Sequence, residues 1–115
     1  MASEDGCPFC GIVAGDVPAE IVRIGQRVVA FRDLNPQAPL HALVVPRDHH
    51  ADVAALAAAD PEALVELVEV AKGLAAPEGD GSYRLVFNSG AGAGQSVFHV
   101  HGHVLAGRPF GWPPG

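Results

Sequence analysis

Three histidines alternate with small apolar residues in the run Phe98-His99-Val100-His101-Gly102-His103-Val104-Leu105. Period-two alternation is a strand signature, so the run predicts a strand over residues 97–105 carrying three imidazoles on one face. Neighbours on such a face lie roughly 7 Å apart, close enough to address one polyanionic ligand. Val100, Val104 and Leu105 can hold the strand's other face in a core. Directly before it comes Asn88-Ser89-Gly90-Ala91-Gly92-Ala93-Gly94-Gln95-Ser96. Glycines let backbone amides approach an anion closely, and Ser96 adds a hydroxyl donor. Loop and histidines together predict an anion site that contains a nucleophile. A neutral imidazole attacks well near pH 7 when its other nitrogen donates a hydrogen bond that fixes the tautomer. Attack on phosphorus would give a phospho-histidine-type intermediate for water to hydrolyse, with neighbouring donors stabilising the non-bridging oxygens. The bland alternative is an inert exposed histidine face, or one that only binds metal.

A chain of 115 residues has room for one ordinary core. Apolar residues make up 49% and charged ones 17%, which excludes disorder. Seven Lys+Arg against thirteen Asp+Glu give a net charge of -6, so nucleic-acid binding is not expected. Apolar stretches such as residues 54–59 fall far short of the roughly 20 residues of a membrane span. Met1-Ala2-Ser3-Glu4-Asp5 is acidic with no apolar run behind it, so no signal peptide is visible and a cytoplasmic location is expected.

The chain reads as class α+β: about five strands, mainly antiparallel, with one short and one long helix in a single domain over residues 1–115. Residues 1–6 are expected to form a flexible lead-in and 109–115 an irregular tail. Residues 7–14 predict a brief helix stopped by Gly15. Residues 21–24 and 28–31 are β-branched runs around Gly25-Gln26-Arg27, a hairpin. Residues 35–39 hold two prolines and form a loop, and 41–45 read as a buried strand ended by Pro46. Asp60 and Pro61 open the long helix as N-cap and first residue. Leu64, Leu67, Val68 and Ala71 form its apolar stripe, and Gly73 or residues 77–79 end it. Residues 83–87 are a further strand. The Ala-rich stretch 51–59 gives no clear signal.

Cys7-Pro8-Phe9-Cys10 admits three readings. A redox pair would follow a strand in a βαβ unit, which is absent. A structural disulfide is unexpected without export signals. The third reading is zinc, since a C-x2-C pair supplies half a tetrahedral shell that two histidines can complete.

The run His99-Val100-His101-Gly102-His103-Val104-Leu105 resembles the signature of the histidine-triad (HIT) superfamily. Residues 31–39, 41–46, 94–98 and the ending Trp112-Pro113-Pro114-Gly115 resemble its Hint branch, the histidine-triad nucleotide-binding proteins, and the likeness runs from about Cys7 to Gly115. It implies a homodimer whose two five-stranded sheets join into one of ten strands. It also implies hydrolysis of purine nucleoside phosphoramidates with release of the nucleoside monophosphate, such as AMP. By position, His101 would be the nucleophile. His103 and Ser96 would bind the α-phosphate with the backbone of Gly94 and Gln95, and Asn88 would lie beside it. His41 would help to poise His101, and Asp33 would accept the ribose hydroxyls. Phe9, Ile12, Phe31 and Leu34 would sandwich the base, although Phe31, Leu34 and Ile12 could equally be core and Asp33 a turn residue. The resemblance completes a zinc site from Cys7, Cys10, His49 and His99, with no metal needed for catalysis; His50 is the alternative ligand, expected to be exposed. Gly102 departs from the signature, which has a bulky apolar residue there, and the loss predicts missing packing under the strand. Two other functions compete with this one. They are dinucleoside polyphosphate hydrolysis, as in the Fhit branch, and nucleotide sensing or partner binding with vestigial catalysis.

Overall fold

The computed structural model describes residues 3–115, so Met1 and Ala2 of the expected lead-in lie outside the described residues. Helix α1 spans Pro8–Ala14. The Cys7 thiol accepts from the Cys10 amide at its start, Pro8 occupies the first turn, and Gly15 ends it at φ 84°, a left-handed conformation suited to glycine. Strands β1 (Ile21–Ile24) and β2 (Val28–Arg32) form the expected hairpin, closed by the Gly25 amide donating to the Val28 carbonyl at 2.8 Å. Strand β3 (Leu40–Pro46) runs one residue beyond the predicted segment at each end and is buried throughout. Strands β4 (Tyr83–Val86) and β5 (Gly102–Ala106) complete a five-stranded antiparallel sheet in the order β1-β2-β3-β5-β4.

The helices depart from expectation. Residues 53–59, within the Ala-rich stretch, form α2 (Val53–Ala59), started by Asp52 capping the Ala55 amide. Asp60 then ends α2 and caps α3 (Pro61–Ala75) through the Ala63 amide, so one aspartate divides what is nearly a continuous helical segment. Within α3 the core face is Ala63, Leu67, Val70, Ala71 and Ala75, with Leu64 packed at its margin. Val68, placed in the apolar stripe by its spacing, points outward and is exposed. No described helix is long and apolar enough to cross a membrane.

Each face of the sheet buries a different cluster. Val28, Ala30, Ala42, Val44 and Val104 meet α2 and α3 through Leu56 and Leu67. Both leucines are fully buried, worth roughly 2–3 kcal/mol each. On the opposite face Val29, Phe31, Leu43 and Val45 pack against Phe9 of α1.

The last strand begins five residues later than its alternation predicts. Residues 97–101 lie outside the ladder because other partners claim them. The Val100 amide donates to the His50 carbonyl at 2.8 Å, and the His99 ring turns away into a cluster of cysteines. The three imidazoles therefore do not share one strand face. His50 is half-buried rather than exposed. Nor does Gly102 leave a hole. A Cβ there would meet Leu67, Leu85 and Phe87 at 3.1–3.2 Å, so these side chains already fill the space under β5.

Candidate functional site

His41 lies on β3 opposite Leu105, and His103 lies on β5 opposite Leu43. The two histidines are thus diagonal neighbours on the sheet face that carries Leu43, away from α3. His41 Nε2 and His103 Nδ1 are 2.9 Å apart. The Gln37 amide donates to His41 Nδ1 at 3.0 Å. Because an amide N–H can only donate, His41 Nδ1 carries a lone pair, and the neutral ring holds its proton on Nε2. That proton is donated to His103 Nδ1, which leaves the His103 proton on Nε2. A single backbone amide thereby sets two tautomers.

His101 is set from the other side. Its Nδ1 is 2.9 Å from the His99 carbonyl, which can only accept. In the neutral ring the proton therefore sits on Nδ1, which leaves the lone pair on Nε2. The ring is buried at its edge against Phe9, with centroids 5.0 Å apart, and lies 5.0 Å from the His103 ring. Burial, reinforced by the neighbouring rings, holds His103 down to about 4, and burial also lowers His41. Asp33 opposes both shifts, with Oδ2 at 3.5 Å from His41 Nε2 and 4.0 Å from His103 Nδ1. His41 and His103 are neutral at pH 7, as a chain of imidazole hydrogen bonds requires.

Phe9, Ile12, Phe31, Asp33 and Leu34 do come together. They line one cleft of about 260 Å³, walled also by Leu43, Val17 and Pro18. Phe31 is at once core and cleft wall, whereas Leu34 stands almost wholly exposed on the rim. Asp33 Oδ1 accepts from the Asn35 amide at 2.8 Å, so the turn reading also holds for this residue.

The glycine-rich loop contains a short 3₁₀ turn at Ala91–Ala93, flanked by Gly90 at φ 90° and Gly94 at φ 91°. Ser96 is exposed and Asn88 half-buried. The Gln95 side chain, not singled out from the sequence, organises the loop. Buried, it accepts from the Gly90 amide and donates to the carbonyls of Ala51 and Val97. Ser96 lines a second cleft, of about 340 Å³, together with Glu4, Cys7, His49 and Phe98.

Below this cleft, one ligand atom from each of Cys7, Cys10, His49 and His99 lies within 4.8 Å of the others. The closest sulfur–nitrogen distances are 3.4 Å from Cys10 to His49 Nδ1, 3.4 Å from Cys10 to His99 Nδ1 and 3.5 Å from Cys7 to His99 Nδ1. A tetrahedral ion with bonds of about 2.3 Å to sulfur and 2.0–2.1 Å to nitrogen spaces its ligands about 3.5 Å apart, so the four residues fit one. His99 is prepared for that role. Its Nε2 donates to the Pro46 carbonyl at 2.9 Å, which leaves the Nδ1 lone pair facing both sulfurs. Burial holds His99 to about 4, keeping it neutral.

Residues 14–110 match the family model described as HIT domain. A 14 kDa zinc-binding protein of Zea mays is 42% identical over 110 residues, covering 93% of this chain and 86% of its own. Among solved structures, a HIT family hydrolase from Legionella pneumophila superposes with a TM-score of 0.89 at 45% identity, over 96% of this chain and 100% of that one. A zinc-bound histidine triad family protein from Mycobacterium smegmatis superposes with a TM-score of 0.78 at 29% identity, over 96% of this chain and 80% of its own.

Proposed function

We propose, from the premise that this chain belongs to the HIT domain family, that it hydrolyses the P–N bond of purine nucleoside 5'-phosphoramidates through a nucleotidyl-histidine intermediate. The observation that carries the reading is the His101 ring, with its Nδ1 proton held by the His99 carbonyl and its Nε2 lone pair available. Nε2 attacks the α-phosphorus, the P–N bond breaks, and the leaving nitrogen takes up a proton from solvent and departs as the amine. Water then attacks the same phosphorus, the His101–phosphorus bond breaks, and the proton returns to solvent. The net reaction is amidate plus water to nucleoside monophosphate plus amine. The Legionella relative's description as a hydrolase is consistent with this chemistry.

In this reading His103 and Ser96 bind the α-phosphate with the amides of Gly94 and Gln95, near Asn88. His41 acts through His103. Asp33 takes the ribose hydroxyls at the mouth of the cleft whose walls, Phe9, Ile12, Phe31 and Leu34, take the purine. Zinc would be held by Cys7, Cys10, His49 and His99 and would join α1 to the segment leading into β5, outside the chemistry. β1 and β4 are the two edges of the sheet, and a second copy pairing at one of them would extend it to ten strands.

Denaturing quench of the protein during turnover of adenosine 5'-phosphoramidate, followed by peptide mass analysis, tests the intermediate. The expected result is an adenylyl adduct on the peptide containing His101. Turnover with no adduct on that peptide, or an adduct elsewhere, contradicts the mechanism.

A further inference from the structure

Two histidines face the cysteine pair, and the structure treats their far nitrogens alike. His99 presents Nδ1 to the sulfurs and gives its Nε2 proton to the Pro46 carbonyl. His49 presents Nδ1 to Cys10 at 3.4 Å, and its Nε2 lies 3.1 Å from a carboxylate oxygen of Glu4. A carboxylate accepts only, so the neutral His49 ring, the form that can ligate, carries its proton on Nε2 and turns its Nδ1 lone pair to the cluster. The Glu4 backbone joins the same arrangement, since its carbonyl accepts from the Cys7 amide at 3.2 Å.

We infer that Glu4 is a positioning residue of the metal site, holding His49 in the ligating tautomer as the Pro46 carbonyl holds His99. The inference rests on the zinc reading given above. An ordinary exposed ion pair does not account for the contact equally well. Glu4 is 66% exposed and His49 only 16%, and a solvent-facing pair would be worth little and would leave the ring free to rotate. A metal on Nδ1 removes that freedom and makes the Nε2 proton more acidic, so the hydrogen bond to Glu4 strengthens when the site is loaded. Glu4, Asp5, Gly6 and Cys7 line one cleft together with His49, so the segment borders two of the four ligands. Binding metal would therefore fasten residues 4–7 to the domain, and fastening those residues would favour metal.

Competition between the full-length protein and a chromophoric zinc chelator tests this, using wild type, Glu4→Ala, Glu4→Gln and Cys10→Ser. One zinc per wild-type chain is expected, with affinity roughly tenfold weaker in Glu4→Ala, less weakened in Glu4→Gln, whose amide oxygen can still accept, and lost in Cys10→Ser. Cobalt substitution supplies a second readout, since the visible d–d bands of Glu4→Ala should shift if the His49 ring reorients. Wild type that takes up no zinc overturns the metal reading itself, and the role of Glu4 with it. Wild type that binds zinc while Glu4→Ala binds it equally well, with unchanged cobalt bands, overturns the role of Glu4 alone.

Discussion

His41 Nε2 donates to His103 Nδ1 across 2.9 Å, between two strands, and both protons are placed by the Gln37 amide at the start of the chain of contacts. Replacing His41 by Ala breaks this chain in the middle. His103 loses the donor that fixes its tautomer, and the Gln37 amide is left without its acceptor, a cost of about 1–3 kcal/mol. His41→Ala is expected to lower kcat by tenfold or more, on the order seen for residues that orient a catalytic group, while His101 can still be adenylylated slowly. Single-turnover kinetics with adenosine 5'-phosphoramidate separate the two.

Acid should destabilise the fold through His103. Its folded pKa is about 4 against 6.5 for the free side chain, so between those values the unfolded chain binds more protons than the folded one. Stability is then complete above about pH 6.5 and falls as pH drops towards 4. His41 and, in the metal-free chain, His99 are also lowered by burial and add in the same direction. Urea midpoints at pH 7.5, 5.5 and 4.5 check this, and His103→Gln should reduce the dependence.

Gly102 is a test of packing. Leu67, Leu85 and Phe87 occupy the volume that a side chain would need, and Leu67 is fully buried between sheet and helix. Gly102→Val should cost about 1–3 kcal/mol by overpacking, although valine favours strands in general. Chemical denaturation of the variant measures the sign. Gained stability would mean that the three neighbours yield without strain.

With zinc bound as proposed, its removal would act on two parts of the molecule. The cluster joins Cys7 and Cys10 at the start of α1 to His49 after β3 and His99 before β5. Stripping zinc with a strong chelator should lower Tm by several degrees through loss of linkage stabilisation. It should also slow turnover, because the carbonyl that orients His101 belongs to His99. Zinc titration that restores both together supports this coupling.

How much of this was legible in the sequence depended on which atoms do the work. The β-branched runs flanking Gly25-Gln26-Arg27 and the Asp60-Pro61 pair located β1, β2 and α3, since turn and cap chemistry is written in side chains. Residues 53–59 carry no polar alternation, so the pattern does not mark α2 although Asp52 caps it. The alternation at residues 97–101 misled because the Val100 amide and the His99 ring have long-range partners that no local pattern reveals. At the candidate site Cys7, Cys10 and the histidines of residues 99–103 stand out by type and spacing, whereas His41, His49 and Asp33 enter only through the family resemblance. The groups that set the tautomers do not stand out: the Gln37 amide and the carbonyls of Pro46 and His99 are backbone atoms that any residue supplies. Glu4 was readable only as part of an acidic lead-in.

The most direct test of the whole account is AMP release from adenosine 5'-phosphoramidate by wild type beside His101→Asn, with AMP binding measured for both. Turnover is expected from wild type, none from the variant, and nucleotide binding from each. Binding without turnover in wild type would contradict the mechanism and leave a nucleotide-binding module on a HIT domain.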